Sequence, residues 1–286
     1  MSKITMRDVS IMGPSYVHYP FEFFLDSLQK CGVHKVDLWG AEPFFYRADW
    51  ETPQAAEAEL KRMKAEMAAR DQTVSIYTPE TLGYPFNFSD PGEGIRRRTI
   101  EHFKWCMEDA HILDCPRIFL NSGCGPRNLP REESMKRLVD TYRAILDLAE
   151  DADILMPLEQ LQPYESNLVL TKEDVKWVLD EVNSPNLRVC LDVIPMVMFG
   201  ETIEDYFELF GDKVEWIHYA DSHHEELGTG EYGAELMRHW LDVLEANDFK
   251  NGIDLEVNDS IYWEEPHGPH ERSCNYLRNV LNVPEE

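Results

Sequence analysis

Ile154-Leu155-Met156-Pro157-Leu158-Glu159-Gln160-Leu161-Gln162-Pro163-Tyr164-Glu165-Ser166-Asn167 decides the fold. It reads as a buried strand that ends in a carboxylate and opens into a loop carrying a second one. An apolar run from Ile154 to Leu158 with helix-like sequence on either side suits a parallel strand covered on both faces, so Glu159 emerges at its carboxyl end. Three later segments repeat the arrangement: Leu187-Arg188-Val189-Cys190-Leu191-Asp192, Val214-Glu215-Trp216-Ile217-His218 and Gly252-Ile253-Asp254-Leu255-Glu256. Each closes on one side chain able to bind a metal. The steps of 33, 26 and 38 residues between them match one βα unit of an eight-unit barrel of about 250 residues, whose chemistry lies at the carboxyl ends of its strands. Glu159, Asp192, His218 and Glu256 are therefore expected on one rim.

Reading outward, strand-like and helix-like segments alternate from end to end. Strands are predicted at Val9 to Met12, Lys35 to Gly40, Thr73 to Tyr77, Arg117 to Leu120 and Ile253 to Val257, besides the three already quoted. Helices are predicted at Pro20 to Cys31 with Gly32 as a stop, Thr52 to Arg70, Ile95 to Leu113, Glu133 to Glu150, after Thr171, Thr202 to Phe210, Tyr232 to Asn247 and His270 to Leu281. Thr171 and Asp174 are spaced as a capping box. Eight strands and eight helices in alternation predict an α/β (β/α)8 TIM barrel, a single domain over residues 1 to 286.

The chain carries 27 basic and 54 acidic residues, a net charge of −27. That charge repels phosphate backbones and anionic bilayers, so neither nucleic acid nor a membrane is an expected partner. Six cysteines are scattered without a close pair and read as reduced thiols. The N-terminus has no apolar core that could serve as a signal peptide and no segment nears the ~20 apolar residues that span a bilayer, which predicts a cytoplasmic protein.

Singly, each strand-end residue has a plain structural reading: an Asp or Glu after a strand often caps a helix, and a His in an apolar strand is often core. Four in succession are different, because three carboxylates gathered in a partly dry pocket repel one another unless a cation joins them. Mostly oxygen donors with one imidazole favour Mn²⁺, with Mg²⁺ or Co²⁺ as alternatives, in an open octahedral site rather than closed tetrahedral zinc. Such a cation suits two adjacent substrate oxygens, and Glu159 and Glu256 can serve opposite faces of the carbon between them. The expected chemistry is isomerisation or epimerisation beside a carbonyl, with a small-molecule sugar or glycoside as substrate.

At this point the chain resembles a known family. Val36-Asp37-Leu38-Trp39-Gly40, Ile76-Tyr77-Thr78-Pro79-Glu80-Thr81-Leu82-Gly83-Tyr84-Pro85, the run from Leu158 to Asn167, His218-Tyr219-Ala220-Asp221-Ser222 and Leu255-Glu256-Val257 are similar to the sugar phosphate isomerase/epimerase superfamily with the xylose-isomerase-type barrel. Within it they resemble the ketose 3-epimerases, those acting on fructoselysine among them. The resemblance implies that Glu159, Asp192, His218 and Glu256 bind the metal, that Glu159 and Glu256 are also the acid/base pair of a cis-enediolate mechanism, and that Glu165 contacts the sugar. It also implies a homo-oligomer.

Two positions depart from the family. Pro195 stands where enzymes of free ketoses keep a His, and His224 where they keep an Arg. Catalytic subunits of C-glycoside deglycosidases look like the same barrel and metal set; that alternative is a lyase expelling an aglycone from a 3-oxo-glycoside, with a small partner subunit. Apurinic-site endonucleases share the barrel type but need extra His ligands and a basic DNA-facing surface, which the net charge of −27 opposes, and a catalytically idle barrel is at odds with four intact ligands. His224, Trp39 and Tyr77 are further candidate substrate-binding residues, and His223, His267 and His270 are expected in rim or loop segments. Cys124 has no His partner placed by the sequence and is not read as a nucleophile.

Overall fold

The computed structural model describes residues 3–286. Its strands are β1 (Val9–Met12), β2 (Lys35–Gly40), β3 (Thr73–Pro79), β4 (Leu120–Asn121), β5 (Met156–Glu159), β6 (Leu187–Asp192), β7 (Val214–Tyr219) and β8 (Ile253–Leu255). Between and after them run α1 (Phe21–Cys31), α2 (Pro53–Ala68), α3 (Glu93–Leu113), α4 (Arg131–Asp151), α5 (Lys172–Val182), α6 (Val193–Met198), α7 (Ile203–Phe210), α8 (Gly233–Ala246) and α9 (His267–Asn279). The strand order is β3-β2-β1-β8-β7-β6-β5-β4 in one sheet. Its two ends meet through a parallel bridge between Tyr77 and Ile118. This is the (β/α)8 barrel fold that the alternation predicts.

The residues form two compact units, 1–75 with 216–286, and 76–215. In the first, β1 pairs in parallel with β2 and with β8, and β7 with β8, placing His218 opposite Asp254. In the second, β4, β5 and β6 pair in parallel. Every residue of β1, β5 and β7 is buried, as strands covered on both faces must be.

Local chemistry sets the helix ends. Helix α1 buries Phe21, Phe24, Leu25, Leu28 and Cys31, a stripe at helical spacing, and stops at Gly32, whose φ of 70° is the left-handed conformation glycine takes readily. Thr52 caps α2 by accepting from the Ala55 N–H at 3.1 Å. Thr202 and Asp205 form a full capping box on α7. The box expected at Thr171 is only half made: Thr171 accepts from the Asp174 N–H, but Asp174 turns its carboxylate to the Leu170 N–H at 3.1 Å and to Arg131.

Most element ends fall within three residues of the sequence reading, and three places differ in kind. The short helix α6, immediately after β6, adds a ninth α-helix among the described residues; Asp192 caps it by accepting from the Ile194 N–H at 2.9 Å, and Pro195 sits within its first turn, where a missing N–H costs nothing. Arg117 and Ile118 contribute isolated bridges, to Leu155 and Tyr77, rather than a continuous strand. Helix α9 starts at His267, three residues before the predicted start at His270, so His267 is helical as well as His270 and neither lies in a loop.

Two measurements test this packing. Gly252 enters β8 with φ 87°, and a Cβ there would collide with the backbone carbonyl of Asp8; Gly252→Ala is expected to lower unfolding free energy by about 2 kcal/mol or more in a denaturant titration. Burial holds His102 and His270 down at about 4. With the folded pKa below the unfolded one, the unfolded chain takes up the proton first, so stability present above pH ~6.5 is lost as pH falls towards 4, by about 1.4 kcal/mol per pH unit for each histidine. His102 stacks on Phe86 at 4.0 Å, and His102→Phe should remove its share of that slope.

Candidate active site

Each candidate ligand stands at the carboxyl end of a strand. In the unit of residues 76–215, Glu159 is the last residue of β5 and Asp192 the last of β6, and both are buried. The register pairs Glu159 with Cys190, so Asp192 lies two residues further along the same strand and on the same face as Cys190. The Gln160 amide donates to the Asp192 carbonyl at 2.9 Å and ties the two strand ends together. A helix-capping role for Asp192 and a ligand role are compatible, since the cap occupies Oδ1.

In the other unit, His218 is fully buried within β7 and Glu256 directly follows β8. His218 Nδ1 lies 3.2 Å from Glu256 Oε2, and His224 Nε2 lies 3.2 Å from the same oxygen. Asn258 donates to the other oxygen, Oε1, at 3.0 Å, which fixes the carboxylate's orientation. Burial pushes the Glu256 carboxyl up, but the imidazoles of His224 and His218 outweigh it and hold the group far below the usual carboxylate range.

Behind His218 is a buried polar group that the sequence reading missed. Asp254 accepts from Ser10 Oγ at 2.6 Å and from Trp216 Nε1 at 3.4 Å, hydrogen-bonds Asp37, and puts Oδ2 3.9 Å from His218 Nε2. Burial raises its pKa against the pull of His218. Asp254, with Asp37 bonded to it, thus places negative charge on the far side of the imidazole without a hydrogen bond to it. The sequence did carry a mark: Val36-Asp37-Leu38 and Ile253-Asp254-Leu255 each set one acid inside an apolar strand, where burial without a partner is costly.

His224 owes its place to a stapled loop. Asp221 accepts from the N–H groups of Ser222, Gly228 and Tyr232 at 2.8, 3.0 and 3.1 Å, and Ser222 Oγ accepts from Glu231 N–H. Within this frame His223 and His224 both take left-handed backbone, φ 61° and 57°; for non-glycine residues that costs on the order of 1–2 kcal/mol each. The result separates the pair: His223 points out and is exposed, while His224 is buried.

The remaining candidates are spread more widely. Glu165 is half-buried and turns back to accept from the Gln162 N–H at 3.0 Å. Trp39, half-buried in β2, packs edge-on to Phe44 at 6.4 Å. Tyr77, two residues before the end of β3, is only 1 % exposed. His267 bonds Ser27 at 2.8 Å, and fully buried His270 bonds the Pro266 carbonyl at 2.7 Å, so both serve the anchoring of α9. Cys124 Sγ contacts Asn167 Oδ1 at 3.5 Å.

Residues 25–280 match the xylose isomerase-like TIM barrel family, and the chain belongs to it. Among curated proteins it is similar to fructoselysine 3-epimerase of Escherichia coli O157:H7, 28% identical over 203 residues that cover 71% of this chain and 72% of the relative. It is also similar to L-ribulose 3-epimerase of Methylomonas sp., 31% identical over 116 residues, 41% of this chain and 40% of the relative. Among solved structures, D-psicose 3-epimerase of Clostridium cellulolyticum with D-tagatose shares the fold at a TM-score of 0.77 and 14% identity, covering 96% and 99% of the two chains.

Removing the staple tests the loop. Asp221→Ala leaves three backbone donors without their acceptor, and amide exchange at Gly228 and Tyr232 should accelerate by about tenfold or more. Exchange as slow as in the parent protein would show that the loop is held by other contacts.

Proposed function

We propose that this chain is a sugar epimerase or isomerase that works beside a carbonyl with a divalent cation, inverting C3 of a ketose or ketose conjugate through a cis-enediolate. The observation that carries the reading is the pair of buried strand-end carboxylates, Glu159 after β5 and Glu256 after β8, in a chain similar to named 3-epimerases along much of its length. Inverting a carbon by proton exchange needs a base on one face and an acid on the other, and a barrel with two such carboxylates has both.

The donor set fits a cation. Glu159, Asp192, His218 and Glu256 would hold it: three carboxylates and one imidazole, all buried, with His218 Nδ1 already beside Glu256 Oε2. When bound, a divalent cation supplies electrostatic stabilisation for negative charge on two neighbouring substrate oxygens. Mn²⁺ is the proposed ion, with Mg²⁺ or Co²⁺ as alternatives. Asn258 holds the Glu256 carboxylate in one orientation, so that group need not reorganise as the proton moves. Glu165 and the ring of Trp39 are the proposed sugar contacts, while Tyr77, fully buried, is left to the core.

Pro195 and His224 in place of a His and an Arg favour a substrate other than a free ketose. The same proton abstraction in a 3-oxo-glycoside would expel an aglycone, which is the second reading. A nucleic-acid substrate is opposed by the net charge of −27.

A proton NMR time course in D₂O with Mn²⁺-loaded protein separates these outcomes on a panel of fructose, psicose, fructoselysine and a 3-oxo-glucoside. Deuterium entering beside the carbonyl with the carbon skeleton intact is the expected result; a free aglycone would replace epimerase by lyase. Glu256→Gln and Glu159→Gln are each expected to lower kcat by about 10²- to 10⁴-fold with the thermal midpoint little changed. Full activity in either variant would remove that residue from the acid/base pair.

A further inference from the structure

His224 stands where the resemblance places a sugar-binding arginine, yet its side chain is turned onto Glu256. Its Nε2 is 3.2 Å from Glu256 Oε2, the same separation that His218 Nδ1 makes with that oxygen. A charge-assisted N–H to carboxylate hydrogen bond is usually shorter, about 2.7–2.9 Å. Donor atoms sharing a cation at about 2.1 Å lie about 3.0 Å apart at right angles and about 3.4 Å apart at the tetrahedral angle. Both contacts fall in that interval.

Two further observations point the same way. Asn258 takes up Oε1 of Glu256, so the oxygen presented to the two imidazoles is held in one orientation. The His224 ring is presented by a loop whose left-handed backbone is fixed by Asp221 and Ser222, which is more support than a chance contact of a surface histidine receives. An arginine at this position would bring a fixed positive charge and no lone pair. A neutral imidazole brings a lone pair.

We propose that His224 is a fifth protein ligand of the cation, binding through Nε2 beside His218 Nδ1 and Glu256 Oε2. The inference rests on the cation reading given under Proposed function. A second imidazole changes what the site prefers: nitrogen donors raise affinity for Co²⁺ and Zn²⁺ relative to Mn²⁺ and Mg²⁺. In an octahedral site it would also take one of the two open positions, so that one substrate oxygen would meet the cation and its neighbour would be left to the protein's own donors, unlike barrels with a single imidazole.

Pulsed electron paramagnetic resonance of the Mn²⁺-loaded full-length protein counts coordinated imidazole nitrogens directly, without any substrate. Two are expected in the parent protein and one in His224→Ala, whose ratio of Co²⁺ to Mn²⁺ affinity should fall about tenfold or more in competition titrations. His224→Gln, which keeps most of the volume, should give the same single nitrogen if the alanine variant folds poorly. One nitrogen in the parent protein would overturn the role of His224 and leave the cation reading standing. Failure of the parent protein to bind Mn²⁺ or Co²⁺ stoichiometrically would overturn both.

Discussion

A carboxylate taken out of water must be met by charge or by hydrogen bonds, and the interior of this barrel is arranged around that constraint. Glu256 shows it most directly. Burial alone would raise its pKa, yet the imidazoles of His224 and His218 hold it far below the usual carboxylate range, while Asn258 bonds its other oxygen. One layer further in, Asp254 is met by Ser10, Trp216 and Asp37 and is pushed the other way. Two acids two residues apart, one in β8 and one directly after it, thus shift in opposite directions, because burial prevails at Asp254 and the two imidazoles prevail at Glu256.

The same economy appears in the other unit. Glu201 is buried but accepts from the Lys172 N–H at 3.0 Å and from Tyr206 Oη at 2.7 Å. Glu215 pairs with Arg117 at 2.6 Å. These acids are consumed by structure. Glu159 and Asp192 differ in position rather than in burial: they terminate adjacent parallel strands, where a barrel opens to its ligands.

Rigidity at the strand ends comes from loops that are bonded to themselves. Asp221 gathers three backbone donors, and Glu165 closes on Gln162 within its own turn. Preorganisation of this kind lets ionised groups act without rearranging, which is where electrostatic catalysis gains most. The strain of two left-handed histidines is a local cost offset by those bonds.

The sequence by itself determined the order of elements and the four strand-end residues. Both depend on short-range rules: apolar runs make buried strands, Gly32 and Thr202 mark helix ends, and a parallel strand delivers its last side chain to a known rim. Helix α6 is not legible in the sequence because Val193 to Met198 is a six-residue apolar run with Pro195 inside it, too short to show helical periodicity; the cap from Asp192 starts the helix there. The sequence singled out His224 by its place six residues after His218, but the tertiary structure alone decided where each loop histidine points. Nothing in Ser222-His223-His224-Glu225 sets those directions, since left-handed backbone at a non-glycine residue is imposed by distant partners, here Asp221 bonded to Gly228 and Tyr232. That long-range frame turns His224 onto Glu256 and leaves His223 in solvent.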